Sequence, residues 1–475
     1  MSGAAEVGLL RCGSRLALAF AVGAMAALLP ASAVAGDAFV HGSAGAGDPY
    51  FPRAGNGGYD VAHYGLALHY SPSGNRLRAV ATIRASTTEG LSRFDLDLRG
   101  LHVTSVRVEG KPARFRRHGQ ELIVTPARAL PDGERFKVRV QYRGEPRPVI
   151  DPDGSKDGWI PTPDGAFVAN EPQGAPSWFP CNDHPTDKAT YDFRVTVPRR
   201  VTAVANGKLE RRVRHPRRTT FVWSEDAPMA TYLATVTTGR FRVSRSRAAG
   251  TPSYVAVDPS QSSAAADTLS KIPAILRLYG DRFGAYPFGE TGAIVDFAPS
   301  VGYALETQTR PLFDRAPDPI TLAHELSHQW FGDDVTPSRW RDIWLNEGFA
   351  TWSEWYWNQH AGGPSTRQVF NNLYATSAGD TGFWNPPPGN PGGPANLFDG
   401  SIYDRGGMTL EALRQKVGGA TFFGILRDWV SQHRYGNANT HEFIALANDV
   451  SGTDLTGFIQ AWLFRPIQQG KPPRP

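Results

Sequence analysis

The chain has 475 residues, of which 40% are hydrophobic and 20% charged, and its formal net charge is +5. Its 50 Gly and 38 Pro follow no collagen-like period and fall short of the share typical of low-complexity disorder. These figures exclude collagen-like and intrinsically disordered proteins. They indicate a globular chain that is long enough for two or three domains.

The first 35 residues have the pattern of a secretory signal peptide. Arg11 and Arg15 precede an apolar run at 16–29, which leads to small residues at 33–35. The run is shorter than the about 20 apolar residues that a membrane helix needs, and no later stretch of the sequence is apolar enough to span a bilayer. The sequence therefore predicts a secreted, extracellular protein without stable membrane insertion.

The cysteine content limits how the chain can be stabilised. Cys12 lies in the predicted signal peptide, so Cys181 is the single cysteine expected in the mature chain. One thiol cannot form an intramolecular disulfide, and stability must then come from packing, from a metal, or from both. The aromatic and proline neighbours of Cys181 indicate a buried structural thiol rather than a nucleophile.

The first half of the mature chain has the pattern of strands. After a Gly/Ala-rich stretch at 36–57, which predicts a flexible arm, apolar residues alternate with others in several segments. Examples are 64–70, 136–142 and 193–197. Turn signals separate these segments, so we predict an N-terminal all-β, sandwich-like domain at 58–245.

The second half has the longer period of helices. Apolar residues recur at three- and four-residue spacing near 269–276 and again near 422–430. This spacing predicts a mainly α-helical domain at 246–468. The Pro-rich end at 469–475 predicts a short disordered tail.

A basic cluster lies within the predicted β domain. Eight Lys and Arg residues fall between 199 and 218, a density that can bind polyanions. The aromatic residues that stack on single-stranded nucleic acid are not interspersed among them. A solvated strand face is therefore the favoured interpretation, and no nucleic-acid partner is expected. The sequence contains no signal of an oligomeric state.

The clearest chemical motif begins a predicted helix. Asp318 is suited to cap that helix, with Pro319 at its first position. His324 and His328 are four residues apart and thus lie on one helix face, where two imidazoles can bind one ion. Glu325 is rotated to the side of that ion, which is the position of a general base. Chance would produce about 0.01 such matches in a chain of this composition.

A third metal ligand must come from elsewhere, and two candidates are Asp334 and Glu347. Glu347 is favoured because the 18 residues after His328 let the chain turn and return on a second helix. Half of the 12 Trp lie at 330–357, where an uncoordinated carboxylate would be costly. Two imidazoles and one carboxylate leave the fourth zinc position open, which predicts one catalytic zinc ion per chain. Glu354, on the same helix face as Glu347, is expected to orient a ligand histidine.

With these residues in place, the chain resembles the gluzincin aminopeptidases, the family of aminopeptidase N and leukotriene hydrolase. The segment 324–350 is similar to the signature of that family, and the resemblance extends from about residue 59 to about residue 466. It implies a short, two-domain, secreted form, in which the N-terminal β domain precedes a thermolysin-like zinc catalytic domain.

The resemblance implies roles for three further residues. Glu306 lies in a segment similar to the family's Gly-x-Met-Glu-Asn, whose Glu binds the α-amine of the substrate, although Tyr303 and Thr307 replace the Gly and the Asn. Glu171 occupies the place of a second amine ligand. Tyr403 begins a segment similar to Tyr-Glu-Lys-Gly, whose Tyr donates a hydrogen bond to the oxyanion.

The sequence thus predicts a secreted zinc aminopeptidase that hydrolyses the first peptide bond of unblocked peptides, with Glu325 as the general base for a zinc-activated water. A zinc endopeptidase is an alternative, because it needs the metal site but neither Glu171 nor Glu306. A noncatalytic secreted binding protein would account for the β domain but not for the three metal ligands. An epoxide hydrolase of the leukotriene type is less favoured. No motif indicates the side chain preferred at the substrate's N-terminus.

Overall fold

The computed structural model describes residues 39–377 and 379–475. The predicted signal peptide at 1–35 lies outside these residues. Within the two described ranges, none of the helices is long and apolar enough to cross a membrane.

Strands make up most of the chain as far as Gly239. In chain order they are β1 (Val40–His41), β2 (Tyr59–Ser71), β3 (Arg76–Thr87), β4 (Leu91–Asp97), β5 (His102–Val108), β6 (Lys111–Pro112), β7 (Arg114–His118), β8 (Glu121–Thr125), β9 (Arg135–Gly144), β10 (Val149–Ile150), β11 (Lys156–Pro161), β12 (Ala166–Ala169), β13 (Lys188–Pro198), β14 (Thr202–Ala205), β15 (Lys208–Arg214), β16 (Arg218–Ala230) and β17 (Val236–Gly239).

These strands form three sheets, which confirms the predicted N-terminal β fold. The largest has the order β15-β16-β13-β2-β3-β9-β5-β6, in which only the pair β2 and β13 is parallel. The others have the orders β1-β4-β8-β7 and β10-β11-β12-β17-β14. In β2 the alternate residues Tyr64, Leu66 and Leu68 are buried, whereas their neighbours are partly exposed. One face of the large sheet therefore packs on the core, as the alternation predicts.

Helices dominate the rest of the chain, with a few strands among them. The strands are β18 (Arg242–Ala248), β19 (Thr251–Val257), β20 (Thr291–Val295), β21 (Ala304–Leu305), β22 (Leu312–Phe313), β23 (Thr336–Pro337) and β24 (Asn437–Ala438). The helices are α1 (Ser262–Leu269), α2 (Ile272–Phe283), α3 (Pro319–Ser327), α4 (Trp344–His360), α5 (Thr366–Thr376), α6 (Thr381–Trp384), α7 (Gly400–Val417), α8 (Gly419–Gln432), α9 (Thr440–Ser451) and α10 (Thr456–Phe464).

The helical part contains a mixed sheet that periodicity alone did not indicate. Its order is β18-β19-β20-β22-β21, with β20 parallel to both of its neighbours. All five residues of β20 are buried, so this strand lacks the alternation by which half-buried strands are identified. Residue 245, the predicted end of the β domain, lies within β18, which pairs with β19 in this sheet.

The predicted flexible arm at 36–57 is wrong for its described part, residues 39–57. β1 pairs with β4, and the buried side chain of Asp48 accepts a hydrogen bond of 2.8 Å from the backbone N–H of Trp340. The Asn56 amide donates to Asp97 at 3.0 Å. The small residues that suggested flexibility instead let the backbone lie close against the sheet.

The predicted disordered tail at 469–475 also makes defined contacts. The Tyr374 hydroxyl of α5 donates to the carbonyl of Pro472 at 2.8 Å, and the Trp462 indole of α10 donates to the carbonyl of Pro473 at 3.1 Å. The guanidinium of Arg474 lies 4.5 Å from the centre of the Tyr374 ring. The carbonyls of a proline-rich segment have no local partners, and here aromatic side chains supply the donors.

The cysteine of the predicted mature chain has the buried position that its neighbours in the sequence indicate. Cys181 is a buried free thiol, and burial raises its pKa well above the ordinary value, so it is a poor nucleophile.

Most of the basic cluster at 199–218 lies on β15 and its flanks. β15 forms one edge of the large sheet, with its side chains exposed or partly exposed.

Candidate active site and its metal-binding residues

Helix α3 presents the two histidines. The Asp318 carboxylate accepts hydrogen bonds from the backbone N–H groups of Ile320 and Thr321, at 2.7 and 3.1 Å, and Pro319 is the first helical residue. This confirms the helix start predicted from sequence. His328 directly follows the last residue of α3 and keeps helical backbone angles (φ −57°, ψ −24°), so it stays on the same face as His324.

Helix α4 brings Glu347 to these histidines. Its Oε2 lies 3.1 Å from Nε2 of His324 and 3.5 Å from Nε2 of His328. Ligand atoms bound tetrahedrally to zinc at about 2.0–2.1 Å are about 3.3 Å apart, so both distances from Glu347 fit a zinc site. The donor atoms of all three residues lie within 4.8 Å of one another. The other candidate, Asp334, is not part of this cluster, and its Oδ1 accepts the backbone N–H of Tyr435 at 2.9 Å.

The remaining ring nitrogens of the histidines have their own acceptors. Nδ1 of His324 lies 2.8 Å from Oε2 of Glu354, and Nδ1 of His328 lies 3.0 Å from the carbonyl oxygen of Phe331. These contacts favour the tautomer with the proton on Nδ1, which leaves each Nε2 lone pair free for a metal. The donor chemistry and the spacing of this site therefore fit a zinc ion.

Two residues with proposed catalytic roles lie beside the metal ligands. Glu325 is buried, and one of its oxygens lies within 4.8 Å of donor atoms of His328 and Glu306. The ring of Tyr403 stacks on His324, with centroids 6.0 Å apart. Burial raises the pKa of Tyr403 well above its ordinary value, and the Glu347 carboxylate adds to the rise, so the hydroxyl is a hydrogen-bond donor at neutral pH.

A close approach of two helices places Tyr403 near Glu347. A Cβ atom on Gly348 of α4 would lie 2.9 Å from the backbone of Gly406 in α7. Only glycine at these two positions lets the helix backbones meet this closely. Tyr403 is one turn before Gly406, so the contact sets its distance from the metal ligands.

Glu171 and Glu306 line the same cavity as the metal donors. Both are buried, and Oε1 of each has no hydrogen-bond partner among the described residues. Burial raises the pKa of Glu171 well above its ordinary value, and repulsion from Glu306 adds to the rise. A cationic ligand with several N–H donors would satisfy both carboxylates at once.

Gln329 holds the segment that carries Glu306. Its amide nitrogen donates to the backbone carbonyl of Glu306 at 3.0 Å, and its amide oxygen accepts the backbone N–H of Thr309 at 2.7 Å. Sequence reasoning did not single out Gln329, although it directly follows the second histidine of the motif. The residue therefore links the metal helix to the predicted amine ligand.

The structure brings seven of the eight predicted site residues to one cavity of about 270 Å³. The eighth, Glu354, does not line the cavity but contacts Nδ1 of His324. The seven are Glu171, Glu306, His324, Glu325, His328, Glu347 and Tyr403. Asp153, Ser155 and Phe398 also line the cavity. These three lie in loops without a recognisable motif, so nothing in the sequence marked them.

Comparison with known proteins identifies the family. Residues 61–233 match the peptidase M1 N-terminal domain, and residues 314–462 match the peptidase family M1 domain. The structure of a two-domain M1 zinc metallopeptidase bound to L-tryptophan is 30% identical, with a TM-score of 0.81, and the match covers 89% of this chain and 98% of that one. The chain belongs to peptidase family M1. The M1 zinc metallopeptidase of Deinococcus radiodurans bound to a Tyr-Ser-Ala substrate is also similar, with 29% identity, a TM-score of 0.83, and coverage of 89% of this chain and 98% of that one.

Curated M1 relatives are longer than this M1 chain. The glutamyl aminopeptidase of Mus musculus is 26% identical over an alignment of 446 positions, and the match covers 84% of this chain but 46% of the mouse protein. The chain thus spans less than half the length of that relative.

Proposed function

We propose that this M1 chain is a secreted zinc aminopeptidase that removes the N-terminal residue of unblocked peptides. The observation that carries the proposal is the pair of buried carboxylates, Glu171 and Glu306. Each has an oxygen without a hydrogen-bond partner in the described part of the chain, and each lines the cavity that also contains the metal donors. Secretion is proposed from the signal-peptide pattern of residues 1–35 alone.

Each residue of the site has a defined task in this proposal. His324, His328 and Glu347 hold one zinc ion, which when bound lowers the pKa of its water and polarises the scissile carbonyl. Glu325 accepts the proton of the attacking water and passes it to the leaving amine. The Tyr403 hydroxyl donates a hydrogen bond to the carbonyl oxygen as negative charge develops there.

The two amine-binding carboxylates determine which bond is cut. Glu171 and Glu306 hold the α-ammonium group at one end of the cavity, so the first carbonyl of the substrate reaches Glu325 and Tyr403. A chain that extended past the amine would bury these carboxylates without a partner, at a cost of several kcal/mol. The ligands of the two solved relatives, a tripeptide and a free amino acid, are consistent with a site of this size.

The decisive experiment compares a peptide with its N-acetylated form. We expect the wild-type chain to hydrolyse Leu-Gly-Gly at least about 100-fold faster than acetyl-Leu-Gly-Gly, because acetylation removes the cation that Glu171 and Glu306 bind. Glu306→Gln should reduce kcat/KM for the free peptide by a similar factor, whereas Glu145→Gln, at an exposed residue, should not. Equal hydrolysis of both peptides, or internal cleavage of a longer blocked peptide, would favour the endopeptidase alternative.

A further inference from the structure

The lining of the cavity is strongly acidic. Five carboxylates line it, and none of the described residues in its lining is a Lys or an Arg. Four of the five have a task in the proposed reaction, as metal ligand, base or amine ligands. The fifth carboxylate belongs to Asp153, which has no part in that chemistry.

Asp153 lies in a short loop between β10 and β11 that is held by its own hydrogen bonds. Its Oδ1 accepts from the backbone N–H and the hydroxyl of Ser155, at 2.9 and 2.7 Å. The backbone N–H of Asp151 donates to the carbonyl of Ser155 at 3.0 Å and closes the loop. Among the described residues nothing donates to Oδ2 of Asp153, so this oxygen is free to bind a ligand.

The loop is fastened to both amine-binding segments. The side-chain amide of Gln173, two residues after Glu171, donates to Oδ1 of Asp151 at 2.7 Å. The hydroxyl of Tyr303, three residues before Glu306, donates to the carbonyl of Lys156 at 2.7 Å. A group bound between Glu171 and Glu306 therefore has this loop as a fixed neighbour.

Two aromatic rings also line the cavity. Tyr303 and Phe398 line the cavity, and both are partly exposed. Aromatic faces attract cations, and a guanidinium group can also stack flat on them. The rings would accept an apolar side chain as well, so the charge of the wall decides between the two.

We propose that Asp153, with Tyr303 and Phe398, forms the subsite for the side chain of the N-terminal residue and selects cationic side chains, those of Arg and Lys. The proposal rests on the proposed aminopeptidase function and adds a substrate class to it. The free Oδ2 of Asp153 gives a cationic side chain a counter-charge, and none of the described lining residues is a Lys or an Arg that would repel it. An acidic side chain finds no counter-charge in the described lining, in contrast to the specificity named for the mouse relative.

The first test isolates charge from shape. L-citrulline has the length and planar end of L-arginine but is neutral, so arginyl and citrullinyl coumarylamides form a matched pair. We expect kcat/KM of the wild-type chain to be at least about 10-fold higher for the arginyl substrate, and the advantage to shrink in high salt. A ratio near one would overturn the proposal.

The second test removes the charge of Asp153 but keeps its loop. In Asp153→Asn the amide oxygen can still accept the hydrogen bonds of Ser155, and the free oxygen is replaced by a neutral group. Asp153 is exposed, so we expect the arginyl to citrullinyl ratio to fall about fivefold, the upper size of an exposed ion pair. Asp132→Asn, at an exposed turn outside the cavity, should keep the wild-type ratio. An unchanged ratio in Asp153→Asn would overturn the role of this residue.

Binding measurements separate this proposal from the proposed function. Calorimetry with free L-arginine and L-citrulline reports the same preference without turnover, and we expect tighter binding of L-arginine to the wild-type protein. If leucyl and arginyl substrates are cleaved equally well, the specificity is wrong and the aminopeptidase function stands. If no aminoacyl substrate is cleaved, the proposed function fails, and equal binding of the two amino acids would then overturn the cationic subsite too.

Discussion

Asp97 in the β-rich part and the two amine-binding carboxylates of the cavity are all buried, but they differ in their hydrogen-bond partners. In the β-rich part, Asp97 is fully buried and accepts four hydrogen bonds of 2.9–3.0 Å, from the backbone N–H groups of Gly55 and Asp183 and from the amides of Asn56 and Gln120. In the cavity, Glu171 and Glu306 are almost as deeply buried, yet one oxygen of each has no hydrogen-bond partner within residues 39–377 and 379–475.

An unsatisfied buried polar group costs about 1–3 kcal/mol. Glu121 and Asp183 in the β-rich part also have an oxygen without a partner among the described residues, so it is their place in the cavity with the metal donors that distinguishes Glu171 and Glu306. The donors around Asp97 come from the protein, so this carboxyl group needs no ligand. The predictions below test whether this distinction holds, beginning with the cavity.

The largest effect is expected for Glu325→Gln. An amide cannot accept a proton from water, so kcat should fall by about 10³-fold or more. Because Glu325 is not one of the three metal donors, the variant should keep stoichiometric zinc when analysed by plasma mass spectrometry. His328→Ala is the contrasting variant and should lose both zinc and activity. Full activity of Glu325→Gln would show that the cavity carboxylates do not carry the reaction.

Tyr403→Phe should have the next largest effect. The phenyl ring can keep the stacking on His324, but the donor to the carbonyl oxygen is lost, and kcat should fall about 10²-fold with little change in KM. Steady-state kinetics with an unblocked substrate measure both constants. A raised KM with unchanged kcat would contradict the proposed role and indicate that Tyr403 only binds substrate.

Glu354→Gln tests a carboxylate that contacts a ligand histidine rather than the ion. Loss of its charge weakens the hold on Nδ1 of His324, and the zinc dissociation constant should rise about 10- to 100-fold. Competition with a zinc-chelating dye measures this constant, and saturating zinc should restore most of the activity. Glu145→Gln serves as the control. Unchanged zinc affinity would assign Glu354 to packing alone.

The parts of the site that depend on local spacing were predictable from the sequence. His324 and His328 share a face because they are four residues apart. Asp318 and Pro319 predicted the capped start of the helix that carries them. Glu171, Glu306 and Tyr403 lie on separate elements. No spacing rule connects them, and only the resemblance to a family drew attention to them.

What escaped prediction depends on tertiary contacts. Asp153 reaches the cavity because its loop is tied to Gln173 and Tyr303, contacts that no periodicity encodes. β20 was missed because it is buried on every side and shows no alternation. Residues 39–57 were predicted as flexible from their composition, but small residues also permit close packing, which the backbone contacts of Asn56 and Gly55 illustrate.

The smallest effect concerns the β-rich part and changes stability instead of activity. Burial raises the pKa of Asp183 to about 8, and repulsion from Asp97 adds to the rise. The unfolded chain loses this proton near pH 4 and the folded chain only near pH 8. The folded state thus binds more protons between these values, and its stability falls as pH rises through that window.

In Asp183→Asn, a neutral mimic of the protonated acid, this loss of stability is absent. The amide oxygen can still accept a hydrogen bond from the hydroxyl of Thr231, which lies 2.6 Å from Asp183. We therefore expect the free energy of unfolding of the variant, relative to that of the wild type, to rise by about 1–3 kcal/mol from pH 5 to pH 8.5. Urea unfolding measures this difference, and kcat should be unchanged. Asp132→Asn should track the wild type at both pH values. A pH-independent difference for Asp183→Asn would mean that Asp183 is already charged in the folded protein.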